Sequence, residues 1–245
     1  MKKILSVVLA VAFISAASGQ EKNQEKKKQD WSKVVIDRAG DHFMIQGSWD
    51  NWSGQPDSIK NLRRGFSRGF NVAIMLNKPF KSDPRWSAAF GVGISNSNIV
   101  FGKAAVDVKS NTVKLPFINL ADTNHFKKYK LATTFVEAPI ELRYTSDPVN
   151  QKKSYKFALG VKVGYMINAH NKGKTWQNKQ DLTLNDYTQK ETEKTFFNNA
   201  RLVGTARVGI GNFSLFGAYS ITALIKDVAG PAIRPYQLGL CISGL

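Results

Sequence analysis

Seven charged side chains stand out because they interrupt stretches in which apolar residues recur at every second position. They are Glu137, Glu141, Arg143, Lys156, Lys162, Arg201 and Arg207. Successive side chains of a strand point to opposite faces, so all seven are predicted on the face opposite the apolar residues. Carboxylates and cations that share an enclosed face form ion pairs, or else they line a path for protons or ions.

The turn between two of these strands predicts which charges meet. If the strands that flank residues 145–154 form a simple hairpin, Glu137 lies directly opposite Lys162. In the same register Glu141 lies diagonal to Lys156, within reach of a long side chain. We interpret the seven residues as a structural network of lumenal charges, because buried charges need partners and small barrels are filled by their side chains.

Residues for catalysis or metal binding are sparse. A hydrolytic triad needs a Ser, a His and a carboxylate together, and the three histidines are His42, His125 and His170. His42 lies at one end of the first strand, whereas His125 and His170 belong to two long loops, where no Ser-centred motif accompanies them. The single cysteine, Cys241, excludes a disulfide framework, a thiolate zinc site and an iron–sulfur cluster. We therefore predict no enzyme activity, no metal site and no cofactor.

The elements that position these side chains are strands, because the apolar period after Gly40 is two. Eight alternating segments are predicted, each about ten residues long or slightly longer. They are His42–Asp50, Gly69–Asn77, Trp86–Ser95, Leu131–Tyr144, Tyr155–Ile167, Ala200–Ile210, Phe213–Thr222 and Tyr236–Ser243.

The two faces of these strands differ in a way that indicates a membrane. One face carries no charged residue, and the other combines a few charges with small residues such as Gly91, Gly93, Gly160 and Gly164. A soluble sandwich would place larger polar residues on its solvent face. A crowded, partly charged interior with lipid outside is typical of a small closed barrel, which also leaves no backbone group unpaired in lipid. The predicted fold is all-β, an eight-stranded antiparallel transmembrane up-and-down β-barrel with long outer loops.

The connections alternate between long and short, as they do in outer-membrane barrels. Residues 51–68, 96–130 and 168–199 are long and are predicted outside, whereas Gly211-Asn212 is a two-residue hairpin turn. Within the second long loop, residues 98–106 and 112–120 also alternate. They either extend the third and fourth strands beyond the bilayer or form a ninth and tenth membrane strand.

Aromatic residues lie near the ends of the predicted strands, where interfacial anchors are expected. Those assigned to the two membrane interfaces are Trp49, Trp86, Tyr144, Tyr155, Tyr165, Tyr219 and Tyr236.

The N-terminal segment predicts export. Lys2 and Lys3, an apolar run from Ile4 to Ile14 and the small residues up to Gly19 form a signal peptide. Residues 1–19 are predicted to be removed, residues 20–40 to form a mobile basic leader, and residues 41–245 to form the barrel. Export makes nucleic acid an improbable partner, although the formal net charge of the 245-residue chain is +17.

The basic charge instead predicts contact with outer-membrane lipid. The second long loop is rich in lysine and would face lipopolysaccharide phosphates. Its lysines are Lys103, Lys109, Lys114, Lys127, Lys128 and Lys130. The predicted partners are lipid and lipopolysaccharide, with envelope proteins reached through the outer loops, and the barrel is expected to be a monomer.

Three segments resemble a known family. Residues 127–144 (KKYKLATTFVEAPIELRY), 155–166 (YKFALGVKVGYM) and 236–245 (YQLGLCISGL) are similar to the Bacteroidetes-type outer-membrane β-barrel domain, often called PorT-like. The resemblance implies an eight-stranded outer-membrane barrel and supplies no catalytic motif. The predicted function is a non-enzymatic barrel with a structural or loop-mediated interaction role. The alternatives are a component of a secretion or transport complex, a lipid-modifying barrel enzyme and a soluble ligand-binding barrel.

Overall fold

Strands dominate the computed structural model, which describes residues 43–244. The predicted signal peptide, the basic leader and His42 lie outside the described residues. Within them no helix is long and apolar enough to cross a membrane.

The strands are labelled in chain order, together with one short helix. They are β1 (Phe43–Ser53), α1 (Asp57–Lys60), β2 (Arg68–Pro79), β3 (Trp86–Phe101), β4 (Ala104–Val106), β5 (Phe117–Asn119), β6 (His125–Thr145), β7 (Tyr155–Gln177), β8 (Thr183–Thr192), β9 (Ala200–Ile210), β10 (Phe213–Ser220) and β11 (Arg234–Ser243).

Eight of these strands close into a barrel. Each pairs antiparallel with its neighbours in the order β1-β2-β3-β6-β7-β9-β10-β11, and β11 pairs with β1 to complete the ring. The predicted eight-stranded antiparallel barrel is thereby confirmed. The ten-strand alternative is wrong, because β4 and β5 form a separate two-stranded sheet and β8 pairs with β7 outside the closed ring.

The predicted register between β6 and β7 is wrong by two residues. Lys162 lies opposite Pro139, and Glu137 lies opposite Gly164. The cause lies in the turn, where Ser146 pairs with Tyr155. The backbone N–H of Ser146 donates to the carbonyl oxygen of Tyr155 at 2.9 Å, and the Ser146 hydroxyl accepts the backbone N–H of Tyr155 at 3.0 Å. Because side chains alternate with a period of two, this shift leaves every residue on its predicted face.

The two faces of the barrel wall follow the predicted alternation. On β7 the apolar side chains are exposed and point away from the barrel, whereas Lys162 between them is buried in the lumen. Val161, for example, is 43% exposed. The exposed residues of β7 at this level are Tyr155, Phe157, Leu159, Val161, Val163, Tyr165 and Ile167.

Two strands continue far beyond this apolar band. β6 starts at His125 and β7 ends at Gln177, so each extends well past its predicted outer end. Past the band the outward positions are taken by polar and basic residues such as Lys130 and Lys172, which end the apolar alternation but not the pairing. β3 is extended in the same way, since it includes residues 98–101. The second long loop therefore continues its flanking strands beyond the bilayer and does not add membrane strands.

The long outer connections fold over the barrel mouth into what we call the cap, which has its own apolar core. The buried core residues are Trp52, Ile59, Leu62, Ile99, Phe101, Ala104, Val106, Val108, Leu115, Phe126, Tyr129, Leu131, Phe135, Met166, Ala169, Phe196, Phe197, Leu224, Ile225, Ala229 and Ile233. The Tyr129 hydroxyl donates to the carbonyl oxygen of Val106 at 2.9 Å and so ties β4 to β6. The cap was not predicted, because its core joins the outer ends of β3, β6 and β7 to loop residues that lie far apart in the chain.

Candidate functional site

The upper half of the lumen holds an ion cluster around Glu137. Arg201 donates to Glu137 Oε1 from Nε at 3.0 Å, and Lys162 Nζ lies 3.6 Å from Glu137 Oε2. Glu137 and Lys162 are each about 5% exposed at the side chain, so both charges are removed from bulk water. Because removing one member of such a pair strands the other charge, the cluster fixes β6, β7 and β9 relative to one another.

A glycine makes this cluster possible. Gly164 of β7 is paired with Glu137 on one side and with Arg201 on the other, so the ion pair passes over β7. A Cβ atom at Gly164 would lie 3.1 Å from Arg201 Cγ and 3.3 Å from Glu137 Cγ. The guanidinium of Arg201 also stacks on the Phe135 ring, with Cζ 3.7 Å from the ring centroid, a cation–π contact that couples the cluster to the cap.

The lower half of the lumen holds a second cluster around Glu141. Glu141 Oε2 accepts from Arg143 Nε at 2.9 Å and from Arg207 Nη2 at 2.7 Å. Arg207 also donates to the Ser243 hydroxyl at 3.2 Å and lies 3.6 Å from Cys241 Sγ. Here too the carboxylate and Arg207 are separated by β7, whose residue opposite Glu141 is Gly160.

Lys156 does not lie where the sequence suggested. In the observed register it is opposite Thr145 on β6 and Gly209 on β9, near the turn end of β7. It is therefore not diagonal to Glu141. Instead it lines a small cavity together with Arg143 and Arg207.

An uncharged chain of side chains links the upper cluster to the opposite wall. Lys162 donates to Gln46 at 3.3 Å, and the amide of Asn71 bridges Gln46 and Gln237 at 3.3 Å and 3.1 Å. Gln237 then donates to Asp50 Oδ2 at 3.0 Å. Asp50 is 1% exposed and was missed, although its place directly after Trp49 on an alternating strand puts it on the lumenal face.

Little space remains inside the barrel. The lumenal cavities at the two ion clusters are each about 20 Å³, room for about one water molecule. In the part of the chain that the structure describes, no group of three or more His, Cys, Asp or Glu side chains could hold a metal ion.

The two described histidines do not share a site. The His125 ring lies between the carbonyl oxygen of Thr123 at 3.0 Å and Asp181 Oδ1 at 2.9 Å. On β7 the residue opposite His125 is Gln177, seven positions from His170 and therefore about 23 Å along the strand.

The outer wall carries a large concave feature, which we call the basic groove, with a volume of about 830 Å³. Its floor is aromatic and includes Phe101, Phe126 and Tyr129. Its charged and polar lining residues are Arg64, Arg68, Lys103, His125, Lys127, Lys128, Lys130, Lys172, Lys174, Gln177 and Asp181. Asp181 is already engaged, since it lies 2.9 Å from both Lys103 and His125.

The electrostatics of the groove reflect this concentration of cations. The pKa of Lys130 lies below its ordinary value, because burial disfavours the charge and Lys172 and Arg68 repel it. Beside the groove, the pKa of His170 is lowered by burial and by the nearby Lys190, Lys130 and Lys172. Both groups lie beyond the apolar band.

The aromatic residues assigned to the interfaces lie near the ends of the outward faces. Trp86 packs edge-on against Tyr144 with ring centroids 5.1 Å apart, and Tyr219 lies opposite Tyr236. Trp49, Tyr155 and Tyr165 are exposed on the outside of the wall at 42%, 58% and 57%.

Solved structures similar to this chain include three of Ail, the attachment invasion locus protein of Yersinia pestis. The crystal structure is 14% identical over 82% of this chain and 96% of that chain, with a TM-score of 0.31. The crystal structure with the heparin analogue sucrose octasulfate is 11% identical over 82% and 96%, with a TM-score of 0.32. The structure in a phospholipid nanodisc is 16% identical over 82% and 98%, with a TM-score of 0.28.

A search of the curated proteins finds no match. Residues 42–226 match the family model described as an outer membrane protein beta-barrel domain. The match covers the charged lumen strands β6, β7 and β9 but does not distinguish the PorT-like group. With the closed eight-stranded ring, it shows that the chain belongs to the outer membrane β-barrel domain family and is an outer-membrane protein.

Proposed function

We propose that this protein is a closed, non-enzymatic and monomeric barrel that serves as an interaction platform at the outer surface of the outer membrane. The observation that carries the proposal is the double closure of the lumen. Ion pairs fill the barrel from wall to wall at two levels, and the cap core covers its outer mouth.

A conducting role is disfavoured by the same features. The cavities beside the ion clusters hold about one water molecule each, whereas conduction needs a continuous water-filled path. A catalytic role is disfavoured because His125 contacts Asp181 and a backbone carbonyl oxygen, with no serine hydroxyl among its hydrogen-bond partners.

The form of the outer connections supports binding. Loops that only join strands do not need a core of their own, whereas the cap buries large side chains such as Phe197 and Ile225 to 0% and 1% exposure. Such a core holds the outer surface in one shape, and loops fixed on a rigid scaffold are common sites of recognition. The partners we propose are outer-leaflet lipid and lipopolysaccharide, with envelope proteins reached through the cap.

The test is a current measurement on the refolded protein in a planar lipid bilayer. We expect no conductance steps for the wild-type protein. A porin of known conductance, measured in the same bilayer, is the positive control. Reproducible steps from the wild-type protein would overturn the proposal, and native mass spectrometry that found a stable oligomer would overturn its monomeric part.

A further inference from the structure

A ladder of lysines crosses the outward face of three neighbouring strands. Lys130 of β6 lies opposite Lys172 of β7, which lies opposite Lys190 of β8. One step further out, Lys128 lies opposite Lys174. Like charges that face each other directly across strands destabilise a sheet, so this ladder works against the fold unless something neutralises it.

The part of the protein that the structure describes does not neutralise the ladder. Among residues 43–244, none of these five lysines has a carboxylate within 4.0 Å. Lys130 donates to the neutral side chain of Asn98 at 2.6 Å. Lys128, Lys172, Lys174 and Lys190 are exposed. The described residues therefore supply no counterion to the ladder, and an external anion would relieve its repulsion.

The position of the ladder indicates where such an anion would lie. Val136 and Ile167 are exposed on the lipid face. Lys130 lies six residues beyond Val136 along β6, and Lys172 lies five residues beyond Ile167 along β7. At about 3.3 Å per residue and a strand tilt of about 40°, the ladder stands roughly 13–15 Å above the apolar band. Lysine stems can bring their ammonium groups nearer to the band, so the charges reach the headgroup layer of the outer leaflet.

The basic groove extends the ladder sideways toward the lipid. Arg68 lies two residues from Phe70, which is 56% exposed on the lipid face, and Phe66 is 61% exposed at the groove edge. A ligand that fits this surface carries several phosphates and also has an apolar part. The phosphorylated saccharide of lipopolysaccharide, anchored by its acyl chains in the same leaflet, has both properties.

We propose that Lys130, Lys172 and Lys190, supported by Lys128 and Lys174, form a defined binding site for the phosphate groups of lipopolysaccharide. The inference deepens the proposed function and rests on it, since it names the partner of one part of the outer surface. In this arrangement ammonium groups take the place of the divalent cations that otherwise bridge neighbouring phosphates.

The test compares stability in two lipid surroundings. The full mature protein is refolded in phosphatidylcholine vesicles with or without lipopolysaccharide, and its urea unfolding midpoint is measured. The site variant combines Lys130→Gln, Lys172→Gln and Lys190→Gln. The matched control combines Lys60→Gln, Lys109→Gln and Lys114→Gln, which removes the same charge from exposed positions outside the ladder.

The expected result is a reversal of order. In phosphatidylcholine alone the site variant unfolds at a higher urea concentration than wild type, because the like-charge contacts are gone. Lipopolysaccharide then raises the midpoint of wild type and of the control but hardly moves that of the site variant. Affinity should fall about fivefold per lysine, roughly a hundredfold for all three.

Three outcomes would overturn the site. If lipopolysaccharide raised the midpoint of the site variant as much as that of wild type, the ladder would not be the binding site. If the control variant lost the response equally, the effect would come from overall charge and not from a defined site. Equal stabilisation by dephosphorylated lipopolysaccharide, or by soluble polyphosphate, would mean that the ligand is not the phosphorylated lipid. None of these outcomes depends on conductance, so the site and the closed-barrel proposal fail separately.

Discussion

Glu137 and Arg201 form an ion pair across an intervening strand, over the bare backbone of Gly164. The pair therefore joins β6 to β9 without direct contact between those strands. Even a Cβ atom on β7 at this level would lie 3.1–3.3 Å from both partners, so a larger side chain would crowd the ion pair.

A double-mutant cycle tests this coupling. Glu137→Leu alone should cost about 3–5 kcal/mol, because it strands buried cations. Adding Arg201→Met should restore more stability than adding Lys162→Met. Arg201 Nε donates directly to Glu137 at 3.0 Å, whereas Lys162 Nζ lies 3.6 Å from Glu137 and retains its hydrogen bond to Gln46 when Glu137 is replaced. The measurement is urea unfolding in lipid vesicles. Strictly additive effects in both cycles would mean that the charges do not interact.

Two glycines that look equivalent in the sequence should respond differently to alanine. A Cβ atom at Gly173 would lie 2.4 Å from the Phe126 ring, whereas a Cβ atom at Gly204 meets nothing within 4 Å. Gly173→Ala should cost about 1–3 kcal/mol by overpacking the cap, and Gly204→Ala should be neutral. Thermal unfolding of both variants checks this, and equal stability would show that Phe126 does not cover Gly173.

A charge on the lipid face should impair assembly. Val161→Arg places a guanidinium against the hydrocarbon and should cost about 2–4 kcal/mol near the bilayer midplane. Val161→Leu is the matched control and should fold like wild type. The heat-modifiable shift on detergent gels reports the folded fraction, and efficient folding of the arginine variant would place Val161 away from lipid.

A substitution in the cap core should destabilise the cap without unfolding the barrel. Phe197 is fully buried there, and Phe197→Ala should cost about 3–5 kcal/mol within the cap. Phe66→Ala, at an exposed position, is the control. Limited proteolysis should cleave the outer connections of the Phe197 variant faster while the barrel stays resistant. If the outer connections and the barrel lost their protease resistance together, the cap and the barrel would unfold as one unit.

The connection between β7 and β8 should loosen in acid. Hydrogen bonds from Lys103 and His125 hold the pKa of Asp181 below its ordinary value of 3.8. A carboxyl whose folded pKa is lowered contributes stability above its unfolded pKa, and that contribution is lost as the pH falls through the folded pKa.

Hydrogen exchange measures this loosening in residues 178–183. Exchange there, normalised for the intrinsic pH dependence, should increase below pH 3.8 in wild type. Asp181→Asn should show the increased exchange already at neutral pH. Protection that is independent of pH in wild type would contradict the role of Asp181.

The sequence predicted the membrane part of the fold better than the outer part. The bounds of β9, Ala200–Ile210, agree with the prediction because the apolar period begins and ends with the strand. The outer half of β7 was missed, because its outward residues there are polar. The register was missed as well, since it depends on the pairing of Ser146 with Tyr155 in the turn, and no periodicity encodes that contact.

The site was predicted in its composition but not in its contacts. Alternation placed Glu137 and Arg201 on one face, yet their pairing over Gly164 needs the order of strands in the closed ring. The lysine ladder was not visible for the same reason. Lys130, Lys172 and Lys190 are far apart in the chain and meet only where β8 turns back onto β7.

The seam between β1 and β11 sets the order in which the barrel can fold. Gly47 of β1 pairs with Leu240 of β11, almost the whole described chain away, whereas β6 and β7 are joined by a short turn. Contacts between distant residues form late, because a long loop must close first. The β6–β7 hairpin can therefore form early, and the free edge of β1 stays unpaired until β11 arrives. Until then that edge is open to pairing with other chains. A factor that protects the unfolded chain during export would therefore have to bind the exposed edge of β1.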